Sequence, residues 1–187
     1  MDASSPKRYI GQTDLQLVKT GIRQARKLAA YFSKAPLDAI ACSDLKRSLQ
    51  TARIIAGNRP VKLEPVCALR EVDLGEWDGL SIAAVKTCAP EEWQRRGESP
   101  AEHRPPGGES FYDLQSRVVP AFQTLIANLQ SNLMIVGHAG VNRVILCHLL
   151  GIPLARLFCL GQDYAAVNLI LSGHEGIQVQ LINFTLS

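Results

Sequence analysis

The chain is short of several features that would remove it from the common run of soluble domains. Its longest nearly apolar run, Val144 to Ala155, is interrupted by His148. It falls well short of the roughly 20 residues that a bilayer span requires, so no membrane partner is expected. The opening Met1-Asp-Ala-Ser-Ser-Pro-Lys-Arg-Tyr has no apolar signal core, and the expected location is cytoplasmic. No C-x-x-C pair occurs; the five cysteines (Cys42, Cys67, Cys88, Cys147, Cys159) read as reduced, mostly buried thiols. None of His103, His138, His148 and His174 stands at zinc-ligand spacing, so no structural metal is expected. Aromatic residues make up only 6% and do not alternate with basic ones, which leaves a nucleic-acid groove without support. Repeats and low-complexity tracts are absent.

What remains is an ordinary globular composition. At 187 residues the chain is read as one domain, spanning residues 1–187. The net charge of +3 is unevenly spread: residues 1–70 carry +8 and residues 71–187 carry −5. Arg23, Arg26 and Lys27 share a helical pattern with an apolar stripe, which assigns them to a solvated face. The sharper reading of the basic half is a positive site for an anionic ligand.

Ile22, Ala25, Leu28, Ala29 and Phe32 recur at helical spacing behind Thr20, a candidate N-cap. The apolar run Leu37 to Cys42 predicts a strand ending at Ser43-Asp44. A second helix carries Leu45, Leu49, Ala52 and Ala56 and stops at Gly57. Val61, Leu63 and Val66 alternate as a strand. Ser81 to about Arg96 reads as helix interrupted at Pro90, and the Pro- and Gly-rich stretch from Gly97 to Ser110 as loop. Leu114, Val118, Ala121, Phe122, Leu125 and Leu129 mark a long amphipathic helix. Leu133 to Val136 is a compact strand, followed by His138-Ala139-Gly140 and another helix. Ala166–Leu171 and Ile177–Phe184 flank a turn that contains His174. Apolar strands alternating with helices predict a three-layer α/β/α sandwich with a mostly parallel sheet. Ligands of such sheets bind beyond the carboxyl ends of strands, where Ser43-Asp44 and His138 both fall.

Three residues stand out chemically. His138 opens a helix whose first amides could receive an anion. Arg47 lies in the first turn of a helix, where a cation is mildly disfavoured unless it grips a bound phosphate. Glu71 belongs to a stretch with four carboxylates in eight residues, which by itself reads more often as an exposed loop than as the seat of an acid.

Five segments occur in a fixed order: Arg8-Tyr-Ile-Gly-Gln-Thr-Asp-Leu, Ser43-Asp-Leu-Lys-Arg-Ser-Leu-Gln-Thr-Ala, Leu69-Arg-Glu-Val-Asp-Leu-Gly-Glu-Trp-Asp-Gly, Pro106-Gly-Gly-Glu-Ser and Val136-Gly-His-Ala-Gly-Val-Asn-Arg. Together they resemble the histidine phosphatase superfamily, with its phosphoglycerate-mutase-like fold, from about Lys7 to Asn183. The resemblance implies phosphoryl transfer to a histidine and then to water, with no cofactor and no metal. It implies that Arg47 grips the phosphate with His138 and Ala139, and that Glu71 protonates the leaving oxygen. Gly11, Gln12 and Thr13 would contact substrate. Burial would raise the Glu71 pKa and a nearby arginine would lower it.

One family feature has no counterpart here. The resemblance implies a nucleophilic histidine in an Arg-His-Gly motif at the end of a first strand. Ten residues precede Gly11, with no strand pattern and no histidine. His103, His148 and His174 match no family motif, and Cys42 reads as a small buried residue. The nucleophile and its neighbouring arginine are therefore expected upstream of Met1. The absent strand would lie in the middle of the sheet, beside the one ending at His138. Without it the sheet is expected to be narrower, or completed by a second copy in a homodimer.

The leading expectation is a phosphomonoester hydrolase acting on a small phosphorylated metabolite. Lys7 to Leu15 and Leu160-Gly-Gln-Asp-Tyr164 most resemble α-ribazole phosphatases, which implies α-ribazole 5'-phosphate as substrate. The competing expectation is a non-catalytic phosphoryl-binding or regulatory module of the same fold.

Overall fold

The computed structural model describes residues 7–127, 132–173 and 176–186. Its elements run α1 (Lys19–Tyr31), β1 (Ala39–Cys42), α2 (Lys46–Ala56), β2 (Lys62–Pro65), α3 (Ile82–Cys88), α4 (Pro90–Glu98), α5 (Phe111–Ala127), β3 (Leu133–Val136), α6 (Ala139–Leu150), β4 (Val167–Gly173) and β5 (Gly176–Phe184). Short 3-10 turns at Cys67–Leu69, Gly75–Trp77 and Leu154–Cys159 fill the connections.

β1 is the middle strand of a parallel sheet ordered β2-β1-β3, with Ala39 opposite both Lys62 and Leu133. A parallel strand flanked on both sides is buried on both faces, which is why Ala39-Ile-Ala-Cys is uniformly apolar. Its side chains alternate between two cores. Ile40 and Cys42 pack with Leu28, Ala52, Ile55 and Ala56 of α1 and α2. Ala41 belongs to the larger core with Leu114, Val118 and Phe122 of α5 and Val141, Val144 and Ile145 of α6. The result is the α/β/α layering that the sequence pattern predicts.

β4 and β5 form a separate antiparallel pair, and no ladder joins β3 to β4 among the described residues. Among the described residues the parallel sheet of the chain has three strands. Leu169, Leu171, Ile177, Leu181, Ile182 and Phe184 of the pair are exposed. His174 and Glu175 at the turn, and Leu129 of the long-helix pattern, lie outside the described residues.

Some expectations are corrected. α1 starts at Lys19 with Val18 at its N-cap, so Thr20 is inside the helix. α4 continues through Gly97 to Glu98, because the solvent-facing glycine costs only about 1 kcal/mol there. Only Cys42 and Cys147 are buried; Cys67, Cys88 and Cys159 are exposed, since each lies on a short turn or helix end rather than a strand. Ser81 does cap α3 by accepting the Ala84 N–H at 3.0 Å, and Pro90 sits in the first turn of α4.

Candidate active site

The site forms where β1 and β3 end. After Cys42 the chain turns through buried Ser43, whose N–H donates to the Val136 carbonyl at 3.2 Å and ties the two strand ends together. α2 begins at once, and Arg47 in its first turn reaches toward the loop at residues 11–14. Its terminal nitrogens donate to the carbonyls of Thr13 at 2.8 Å and Gly11 at 2.6 Å. Asp78 holds the same loop from the other side, accepting the N–H groups of Gly11 at 2.9 Å and Thr13 at 2.8 Å. Asp14 accepts the Lys46 N–H at 2.7 Å and so supplies the cap that Leu45 cannot. A Cβ on Gly11 would lie 2.5 Å from the Val72 carbonyl, so close backbone approach requires glycine there. The Gly11 and Thr13 backbone groups are therefore engaged by Asp78 and Arg47, and the Gln12 side chain donates to the Glu71 carbonyl at 3.2 Å.

β3 delivers His138, which occupies the N-cap of α6 in an extended conformation. Its Nε2 is buried with no partner among the described residues. Burial first, then the Arg47 and Arg117 guanidinium groups, push its pKa down to about 3. At neutral pH the ring is uncharged and offers one N–H rather than two. The Ala139 amide has no acceptor among the described residues, whereas Gly140 donates to Glu71 Oε2 at 3.1 Å. A Cβ on Gly140 would collide with Oε1 of the same carboxyl group.

Glu71 follows the turn at Cys67–Leu69. Its Oε1 accepts the Val72 N–H at 2.9 Å. Burial raises its pKa, opposed by the Gly140 and Val72 amides and then by Arg47 and Arg143, and burial prevails. Arg117 of α5 anchors this segment. It donates to the carbonyls of Ala68, Arg70 and Glu71 at 2.8–2.9 Å and makes a two-point pair with Glu109 at 2.8 and 2.7 Å. Glu109 also accepts the Asp73 N–H at 2.9 Å. Asp44 and Arg70 form a second two-point pair, at 2.7 and 2.6 Å, linking the β1 end to the Glu71 segment.

Arg47, His138 and Glu71 are thus brought near one another: Arg47 influences both other groups electrostatically. The remaining described histidines are elsewhere. His103 stacks on Trp77 and bonds Glu92 at 2.9 Å, and His148 faces Gln123 from α6. Cys42 is fully buried and burial raises its thiol pKa, which leaves it protonated and unreactive. Sequence reasoning misses Asp78 and Arg117. Asp78 is hidden among the carboxylates of an acid-rich stretch. Arg117 is signalled only by its place beside the Leu114–Val118 stripe.

The model of the histidine phosphatase superfamily (branch 1) matches residues 2–185. The chain is 31% identical over 164 residues to phosphoserine phosphatase 1 of Hydrogenobacter thermophilus, covering 87% of this chain and 78% of that protein. It is 32% identical over 162 residues to the adenosylcobalamin/alpha-ribazole phosphatase of Salmonella typhimurium, covering 80% and 75%. Among solved structures, a mycobacterial glucosyl-3-phosphoglycerate phosphatase in complex with inorganic phosphate superposes with a TM-score of 0.84 at 29% identity, covering 97% of this chain and 93% of that one. By the family model and by these relatives alike, the chain belongs to the histidine phosphatase superfamily.

Proposed function

We propose that Arg47, His138, Ala139 and Glu71 are the phosphate-binding and proton-donating parts of a phosphomonoester hydrolase for a small phosphorylated metabolite. The observation that carries this reading is Glu71. It is a carboxyl group whose pKa burial raises, held at the start of α6 beside a guanidinium with donors to spare. Burial favours the protonated form of this carboxyl group, which equips it to give its proton to a departing alkoxide. The Arg47 N–H groups not used by Gly11 and Thr13, the Ala139 amide, which has no acceptor among the described residues, and the His138 ring would share the charge on the phosphoryl oxygens.

In this reading the phosphorus–oxygen ester bond breaks as a nitrogen–phosphorus bond forms to a histidine supplied from outside Met1–Ser187. Glu71 protonates the leaving oxygen. Water then attacks phosphorus, Glu71 takes the water proton, and the histidine departs. The donor strand would pair beside β3, ending next to His138. The named relatives act on phosphoserine and on α-ribazole phosphate; the Lys7–Leu15 and Leu160–Tyr164 segments favour the latter kind of substrate for this chain. A phosphoryl-binding module is the second reading, supported by the engagement of His103 with Glu92 and Trp77 and of His148 with Gln123.

The test uses the chain extended at its N-terminus by an apolar strand ending in Arg-His-Gly. Glu71→Gln should slow alkyl phosphates roughly 10²–10⁴-fold and nitrophenyl phosphate, whose leaving group needs no proton, by less than about tenfold. Equal losses on both would remove Glu71 from the proton-donor role.

A further inference from the structure

Arg47 is half-buried and has no carboxylate bonded to it among the described residues. Its guanidinium is held by the carbonyls of Gly11 and Thr13, at 2.6 and 2.8 Å. Carbonyls orient a cation without neutralising it, and a partly buried charge left unbalanced is costly. The balancing group lies one peptide further away. The N–H groups of the same two residues both end on Asp78, Gly11 on Oδ1 at 2.9 Å and Thr13 on Oδ2 at 2.8 Å. One carboxylate takes both N–H groups and one guanidinium takes both carbonyls, so the loop joins the two forks.

Asp78 is itself firmly held. It follows buried Trp77, and the residues after it pair with the chain just ahead of the loop. Gly79 donates to the Tyr9 carbonyl at 2.8 Å, Tyr9 to the Leu80 carbonyl at 2.9 Å and Ile82 to the Lys7 carbonyl at 3.0 Å. Gly79 turns there with a φ of 83°, which residues with a side chain rarely adopt. The loop has no room to drift away, because Gly11 already lies against the Val72 carbonyl. Burial works against the charge on Arg47, and Glu71, then Asp78, then Asp14 oppose it. Burial favours the neutral form of Glu71, and Asp14 is paired with Lys46 at 3.2 Å. Asp78 is the carboxylate left to balance Arg47.

We propose that Asp78 is a positioning residue for phosphate binding: acting through the Gly11–Thr13 loop, it fixes the Arg47 guanidinium and leaves the other Arg47 N–H groups to the ligand. A carboxylate bonded directly to Arg47 would occupy the fork that a phosphate needs. One peptide away, it balances the charge and sets the direction without competing for donors. The proposal rests on Arg47 being the phosphate grip.

The test reads the dissociation constant of inorganic phosphate on the Met1–Ser187 chain by titration calorimetry. Asp78→Asn keeps the size and one acceptor oxygen but turns an NH2 group toward a backbone N–H. Phosphate should bind about tenfold more weakly, and the Gly11 and Thr13 amides should exchange with solvent about tenfold faster by NMR. Asp78→Glu, which keeps the charge but moves both oxygens by a methylene, should show a smaller loss of the same kind, and it serves where Asp78→Asn does not fold. Arg47→Lys keeps a charge but cannot hold two carbonyls. In that background the Asp78 substitution should weaken phosphate binding by less than about twofold, since the group it positions is gone. The same factor with and without Arg47 would make Asp78 a merely structural residue and overturn the proposal. So would a dissociation constant, or an amide exchange rate, that Asp78→Asn leaves unchanged. Phosphate binding that survives Arg47→Ala would overturn the phosphate grip itself, and this proposal with it.

Discussion

Two arginines clamp the two loops that frame the site, and they differ in what they have left over. Arg117 holds the Glu71 segment by three carbonyls and closes its charge against Glu109. Arg47 holds the Gly11–Thr13 loop by two carbonyls and has no carboxylate partner among the described residues. The first is neutralised within the protein and serves as scaffold. The second keeps net charge and unused donors, as a ligand-gripping group must. Position on the helix reinforces the contrast: a cation in the first turn of α2 is mildly unfavourable there, and the role proposed for Arg47 uses the donors it does not give to Gly11 and Thr13.

His138 feels both arginines and tests the comparison most strongly. It binds fewer protons folded than unfolded between its depressed pKa of about 3 and its ordinary 6.5. Its contribution to stability is therefore full above about pH 6.5 and is lost as the pH falls toward 3, on the order of 5 kcal/mol when complete. Urea unfolding across that range should show the acid limb, and His138→Asn should flatten it. An unchanged limb would mean that other groups carry the pH dependence.

Arg117→Met should come next. It strands Glu109 and three carbonyls with little water to replace the lost donors, the pair being only 23% and 24% exposed. A loss of about 3 kcal/mol in the unfolding free energy is expected. A loss under 1 kcal/mol would show that Arg117 is not the scaffold. Arg70→Gln breaks a pair of similar geometry in which the arginine is 37% exposed. Solvent screening should hold its cost below about 1 kcal/mol, and a thermal melt would register it as a small shift.

The layers, the strand order in the chain and most helix limits were legible in sequence because apolar periodicity records burial. The segments carrying Arg47 and His138 were legible because strand ends opening helices are where ligands of such sheets gather, whereas Glu71 stood out only through the family resemblance. The rest depended on contacts between distant segments. Asp78 grips a loop 65 residues away in sequence, and Arg117 reaches back 46 residues to Glu71. Neither pairing leaves a local pattern. The direction of the Glu71 pKa shift was a contest between burial and nearby donors that only the fold could decide, and burial raises it. The tertiary cap of α2 by Asp14 was invisible for the same reason.

The proposed function has these residues bind and protonate while the phosphoryl acceptor comes from another segment. The most direct measurement compares Met1–Ser187 with a version extended by an apolar strand ending in Arg-His-Gly. Each is incubated with a phosphoester, then followed for released phosphate and for acid-labile phosphohistidine. The account predicts turnover and a trapped phosphohistidine in the extended chain. It predicts phosphate binding without turnover in the shorter one, slower by something on the order of 10⁶-fold, as when a nucleophile is deleted from a hydrolase. Turnover at enzymatic rates by purified Met1–Ser187, with no phosphohistidine formed, would contradict it.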